Sequence, residues 1–485
     1  MDADREALVD ALEFLLDRFE GVETVAYAEV GAIAQAKTDI VVTEDGLRNA
    51  TPFTETGVCC RVFAEGAADY RYTTSLDEES LTDVSDRAIR SGEVLAQRDA
   101  GRFDQFTHHQ GVHGGWASSR IDAVEKAEKV DILQAGLTAG ENLDLSNAWV
   151  NYTDAHIETT LATTTGSTVQ TTLDRGAVTA ILTLIDGQKV KRHAGSTRGV
   201  GFLDHLPGFF DELVEDATEL ESATVETPPT GETTIVLSPR AAGQLFHFVS
   251  RYLEADMGYM GLSPYAVGDR IGSNELAIED TIHAGSWAAL AYDFEGRPTT
   301  PVQLVEDGRV TRLLHNTTSA AEEDTFPAGS AVPSLGFDQP PRIHARHLEV
   351  APGTATTDEL NHGATVVIDR FGDPYLRDDL ERVQRTGVMP PSVLYAKDID
   401  RKTTDRPDRG RAQLPVAEGY RLDGGERVGR VSGVALDFEP GTLDAISAIG
   451  RVRETTTGVA NKHKSRLPYA VTAPGIRLHA RLESL

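Results

Sequence analysis

His247, Arg251 and Glu254 follow one another at steps of four and three residues. On a helix that spacing places all three on one face, with Ala241, Leu245, Phe248, Val249 and Tyr252 on the other. An imidazole can ligate a metal or move a proton, and so can a carboxylate. By spacing alone the stripe reads as a solvated helix face. His344 and His347 sit in an apparent strand, where a three-residue step sends them to opposite sides. His108, His109 and His113 fall in a polar, glycine-rich stretch, while His283, His315 and His362 are isolated and read as structural residues. Glu254, Asp256 and Glu279-Asp280 offer carboxylates suited to a hard cation such as Ca²⁺ or Mg²⁺, although chance pairs abound in so acidic a chain. There is no Walker A run or Gly-x-Ser-x-Gly elbow, and Gly199-Val200-Gly201 does not continue into a dinucleotide fingerprint. The adjacent Cys59 and Cys60 suit neither a disulfide framework nor a zinc knuckle.

The helix that would present His247 has a clear start. Ser238-Pro239 supplies an N-cap and an N1 proline directly after an apolar strand at residues 234–237. Upstream, Ala7, Leu8, Ala11, Leu12, Leu15, Leu16 and Phe19 form one apolar helical face. Short strands are expected at residues 23–30 and 39–42, then a hairpin over 57–72 turning near Glu65-Gly66. Ser75 with Glu78 predicts a capping box for a helix running to about Gln97, and a second helix covers residues 121–140. Residues 148–193 alternate like a β-meander broken at Thr165-Gly166-Ser167, Asp174-Arg175-Gly176 and Asp186-Gly187, and a helix near residues 203–220 follows. Pro228-Pro229 and Gly231 mark a linker. The expectation is a two-domain α+β protein, with a helix-and-sheet domain at 1–225 and a strand-rich domain at 226–485. Residues 369–424, dense in charge and proline, read as long surface loops.

Several short motifs recur in a distinctive order. They are Gly57-Val58, Arg61-Val62-Phe63 and Gly66 in the first half. The second half has Ile235-Val236-Leu237-Ser238-Pro239, Leu262-Ser263, Glu279-Asp280, Asp293-Phe294-Glu295-Gly296, Gly308-Arg309-Val310 and Pro352-Gly353. In these the chain resembles the TldD/PmbA family, long called modulators of DNA gyrase, over almost all its length. The resemblance implies a dimer or heterodimer whose paired C-terminal domains enclose a cavity. TldD-type members resemble zinc peptidases of small or unfolded peptides, and they pair with a PmbA-type (TldE) subunit that lacks the metal site. In the zinc-bearing type a helix carries His-Glu-x-x-x-His, followed by Leu-Glu-Gly-Asp, and a cysteine near the C-terminus adds a ligand. On this sequence the motif starts at Phe246-His247-Phe248 and ends at Leu253-Glu254-Ala255-Asp256. His247 survives, Phe248 replaces the catalytic glutamate, and Arg251 or Tyr252 replaces the second histidine. Ala460, in Gly458-Val459-Ala460-Asn461-Lys462, stands where the thiolate should be. Phenylalanine cannot accept a proton, and arginine repels a cation. The resemblance therefore implies a chain without catalytic residues or metal of its own. Its cofactor set is none, with zinc expected in a TldD-type partner, or else the chain is a homodimer.

Charge narrows the partners. The 485 residues hold 76 acidic and 46 basic side chains, a net charge of −30, with only 9 lysines among the basic ones. Scattered carboxylates with so little lysine read as an adaptation to high salt, which screens repulsion within a few ångströms. Such a field opposes nucleic-acid binding, and the one dense basic cluster, from Arg401-Lys402 to Arg411, is interleaved with aspartates. No apolar run is long enough to span a membrane, and Met-Asp-Ala-Asp-Arg-Glu is unlike a signal peptide, so a cytoplasmic location is expected. The leading expectation is a non-catalytic PmbA-type subunit that positions peptides for a zinc-bearing partner. The alternatives are an active peptidase with a displaced metal site and a non-enzymatic modulator of gyrase.

Overall fold

The computed structural model describes residues 2–64, 67–95, 108–372, 375–376 and 410–485. Helix α1 (Asp2–Glu20) turns Leu8, Ala11, Leu12, Leu15 and Phe19 into the core, as their spacing requires. β1 (Val25–Thr43) and β2 (Gly46–Ala64) are paired strands of 19 residues each. The sequence shows β1 as two short runs because Gln35, Lys37 and Asp39 interrupt its apolar pattern. In the fold burial alternates from Lys37 onward, so one continuous strand accommodates them. β3 (Ala67–Thr73) and α2 (Glu78–Leu95) follow. The predicted Ser75–Glu78 box is not formed. Asp77 instead accepts the Ser80 N–H at 2.9 Å and its hydroxyl at 2.7 Å, and the predicted helix end at Gln97 lies outside the described residues.

β4 (Gln110–His113), α3 (Lys126–Thr138), β5 (Leu145–Thr163), β6 (Thr168–Leu184), β7 (Lys189–Ser196) and α4 (Leu206–Ser222) complete this half. The sheet runs β3-β2-β1-β5-β6, and β4 and β7 share the far edge of β6. Asp174-Arg175-Gly176, expected as a turn, lies inside β6. Gly176 serves packing rather than chain reversal: a Cβ there would lie 2.4 Å from the Phe202 ring. One face of the sheet carries α1 and α2 at one end and α3 and α4 at the other.

The second half comprises β8 (Gly231–Leu237), α5 (Pro239–Ser250), α6 (Ala255–Tyr259), β9 (Ile278–Thr281), β10 (Val302–Glu306), β11 (Arg309–Val310) and α7 (Thr317–Glu322). Then come β12 (Ala331–Val332), β13 (Arg342–Ile343), β14 (His347–Val350), α8 (Thr357–Asn361), β15 (Val366–Phe371) and β16 (Tyr375–Leu376). It closes with β17 (Ala412–Asp423), β18 (Glu426–Arg430), β19 (Val434–Phe438), β20 (Ile446–Lys462) and β21 (Ser465–Ser484). The ladder runs β11-β10-β9-β14-β21-β19-β17-β15-β8, and β8 pairs again with β21 through residues 476–482. That second pairing closes a ring of β21, β19, β17, β15 and β8. β15 and β17 occupy the two ends of the stretch expected as surface loop. Residues 373–374 and 377–409, with most of the basic cluster, lie outside the described residues.

The molecule is thus mixed α+β, as its pattern predicts. The outer face of the first sheet meets the second half along a seam where Ile33, Cys59, Ile157 and Leu161 pack against Phe294 and Phe337. Across it Arg61 bonds Glu29 at 2.6 and 2.9 Å and also pairs with Glu295, which accepts the Thr317 N–H at 2.7 Å. No helix among the described residues is long and apolar enough to cross a membrane.

Candidate functional site

Helix α5 begins as its sequence dictates, with the Ser238 hydroxyl accepting the Ala241 N–H and Pro239 in the first turn. It buries Ala241, Leu245, Phe246 and Val249 completely. The helix then stops at Ser250. Residues 251–253 form one tighter turn, and Glu254 is extended at φ −87° and ψ 125°. His247, Arg251 and Glu254 therefore do not share one helix. Nor is the stripe solvated, since they are only 8%, 8% and 0% exposed. A tertiary cover, invisible to helical periodicity, lies over them: the β20–β21 hairpin and the segment around His344.

That cover brings a cation. The ammonium of Lys462, 2% exposed, donates to Glu254, to Asp256 at 2.8 Å and to the Ile343 carbonyl at 2.7 Å. All three of its N–H bonds are thereby used. The other oxygen of Glu254 accepts the Nδ1–H of His344 at 2.8 Å. Burial pushes the Glu254 carboxyl up, but Lys462 and His344 outweigh it and hold the group at about 2. Arg251 donates to the Asn461 carbonyl at 3.2 Å. His247 stacks on Tyr469 with ring centres 3.5 Å apart and meets His344 edge-on at 5.6 Å. Burial pulls the His247 imidazole well below its usual range, helped by His344 and Arg251, so it is neutral. A two-residue turn, His463-Lys464 at φ 49° and 71°, sets Lys462 at the tip of the hairpin. Burial and the nearby Arg342, Lys462 and Arg251 depress His463 to about 3.

The other expected positions divide. Phe248 and Tyr252 point into the core, where Phe248 packs edge-on against Tyr252 and Phe438 at 5.5 and 5.4 Å. Ala460 is buried on β20, two residues before Lys462 and so on the same face of the strand. The residues fit zinc poorly. The Nε2 atoms of His247 and His344 have no hydrogen-bond partner, as metal ligands would before binding. Yet no thiolate is near, both carboxylates already hold an ammonium, and Arg251 and Arg342 add positive charge. A zinc site needs about four N, S or O donors free to bind. The hard-cation pairing of Glu254 with Asp256 is likewise satisfied by the protein itself. Sequence reasoning weighed His344 only as a strand residue and missed Lys462 and Tyr469; for Lys462 the one signal was that it follows Ala460 by two.

A cavity of about 1110 Å³ adjoins the site. Residues from both halves line it, among them Thr179, His193, Trp287, Arg240, Thr456 and Tyr469, so the ring stacked on His247 is also a cavity wall. Gly458 makes this possible, because a Cβ there would lie 2.4 Å from the Tyr469 hydroxyl. Elsewhere His347 bonds Ser286 and Thr472 at 2.8 Å each, apart from His344; the single strand expected to carry both is not formed, because β13 ends at Ile343 and β14 begins at His347, leaving His344 between them. Asp280 holds Arg346 at 2.8 and 2.9 Å. Among the described residues one trio of His, Cys, Asp or Glu donors lies within 4.8 Å of one another: Asp122, His156 and Asp174. Cross-strand pairing of His156 with Asp174 creates it, and Asp122 is already bound by Arg120 at 2.6 and 2.9 Å. The histidines at 108, 109 and 113 join no such trio.

Comparison with known proteins gives a consistent picture. Residues 230–480, just over half the chain, match the family model described as the PmbA/TldA metallopeptidase C-terminal domain. A protein named metalloprotease from Methanothermobacter thermautotrophicus is 24% identical, over 99% of this chain and 98% of its own length. A Synechocystis metalloprotease is 28% identical over 47% of this chain and 50% of its own. Among solved structures, TldE from Thermococcus kodakarensis superposes with a TM-score of 0.70 at 13% identity, over 98% of this chain and 99% of that one. A candidate modulator of DNA gyrase from Bacteroides thetaiotaomicron gives 0.74 at 14% identity, covering 100% of both chains. One from Thermotoga maritima gives 0.71 at 17%, over 97% of this chain and 100% of that one. At such identities the structures attest the fold alone.

Proposed function

The chain belongs to the PmbA/TldD metallopeptidase family, and from that premise we propose that it is a metal-free subunit of the PmbA (TldE) type in a two-chain peptidase assembly. One observation carries the reading: the Lys462 ammonium lies between Glu254 and Asp256, beside the helix where the family's zinc motif would fall. Phe248 in the core and Ala460 on β20 support it, since neither can supply the missing base or thiolate. In this reading the cavity between the two halves helps to enclose and orient extended peptides, and a TldD-type partner carries the zinc that cuts them. The net charge of −30 weighs against direct DNA contact, and so against the gyrase-modulator reading.

The test is purification from the native host, with metal content and co-purifying chains both measured. The expected outcome is no stoichiometric zinc in this chain and a second chain bearing an intact His-Glu-x-x-x-His. One tightly held zinc per chain, with peptide hydrolysis by this protein alone, would overturn the proposal in favour of an independent peptidase.

A further inference from the structure

The large cavity between the two halves has a wall opposite in sign to the chain that builds it. Acidic side chains outnumber basic ones by 76 to 46 overall. In the lining, five cations (Lys191, Arg192, Arg240, Arg370 and Arg466) face two carboxylates, Glu212 and Glu454. Asp216 and Glu418 engage the arginines from outside the lining, and with both counted the cations still lead by five to four.

Three of the five are committed. Arg192 is held by Glu212 and by Asp216 at 2.8 Å, Arg240 by Glu418 and by Asp216 at 2.8 Å, and Arg370 by Glu418. Glu454 lies within range of the Arg240 and Arg192 charges. Lys191 and Arg466 are different. Both are exposed, and among the described residues neither side chain has an ion-pair or hydrogen-bond partner. Lys191 stands on β7 one residue after the buried Val190, so it shares the cavity face with His193. The His193 Nδ1 meets the Thr457 hydroxyl of β20 at 2.9 Å, where the two halves touch. Arg466 opens β21 just past the hairpin turn. Its N–H donates to the Ser334 hydroxyl at 3.1 Å and its carbonyl accepts the Leu335 N–H at 2.9 Å, which fix its backbone. Each half thus contributes one uncommitted cation. Charges beyond about 8 Å are largely screened at physiological salt, so a ligand inside meets this wall rather than the net charge of the molecule.

Taking the cavity as a peptide chamber, the reading on which this rests, we propose that it selects peptides bearing carboxylates, received by Lys191 and Arg466. The favoured class is an acidic segment or the terminal carboxylate of a short peptide.

The test is calorimetric titration of the purified full chain with acetylated hexapeptides. They differ only in holding Glu, Gln or Lys at two positions, each made as the free acid and as the amide. A net charge of −30 acting alone would rank them Lys over Gln over Glu. The wall reverses that order. Each carboxylate received should tighten binding about two- to fivefold, and the gain should shrink as potassium chloride is raised. A gap between Glu and Gln amides places the contact at side chains, and one between the Gln acid and amide places it at the peptide terminus; either supports the proposal. Lys191→Met combined with Arg466→Met should close the gap. Equal affinities, the opposite order, or a gap kept by the double variant would overturn it and leave the peptide chamber standing. If no peptide binds at all, the chamber reading fails and the selectivity falls with it.

Discussion

Lys462 and Glu254 meet across 208 positions of chain, and their contact is buried. Removing one partner of a buried ion pair leaves the other charge stranded, at a cost of about 3–5 kcal/mol. Lys462→Met should therefore be strongly destabilising in urea unfolding, and adding Glu254→Gln should recover much of the loss. If the double variant is no more stable than the single one, the pair is not the unit described. Glu254 also fixes the sign of a pH effect. Its folded value of about 2 lies below its ordinary 4.5, so its contribution is complete above pH 4.5 and fades as pH falls toward 2. Glu254→Gln should flatten that acid limb of the unfolding curve. The sequence points to His247 and Glu254 as positions of interest but cannot show their surroundings. Helical spacing suggests a solvated face, and only the hairpin folded over it makes the pair internal.

Elements were more legible than contacts. The spacing of Leu8, Leu12, Leu15 and Phe19 marks α1, and Ser238-Pro239 marks the start of α5, because caps and amphipathic faces are local properties. What fails is whatever tertiary packing decides, such as the straight run of β6 through Gly176 and the full length of β1. The β20–β21 turn is a locally unfavourable piece. Lys464 holds φ 71°, a left-handed conformation costly for a side chain with a Cβ. Lys464→Gly should raise stability by about 0.5–1 kcal/mol, and Lys464→Val should lower it, as read from melting midpoints. Equal midpoints for the two would mean that the turn relaxes in solution.

At the scale of the molecule, the seam between the two halves holds a buried cluster of charges. Glu29 and Glu295 share the guanidinium of Arg61, and burial raises Glu29 to about 7 despite that partner, with Glu295 adding to the rise. The folded value exceeds the ordinary 4.5, so the contribution is full below pH 4.5 and lost as pH rises through 7, at up to about 1.4 kcal/mol per unit. Glu29→Gln should remove this neutral-range decline from a pH series of unfolding midpoints; an unchanged slope would place the titration elsewhere. The ring in the second half has another consequence, set by the order of synthesis. β21 pairs with β8, β14, β19 and β20, and it emerges from the ribosome after every one of them. The first sheet can form while translation continues, but β8, which gains β15 on one side first, must wait through more than two hundred residues for β21 on the other. Until then its edge is open, and the nascent chain is most in need of a chaperone over that interval.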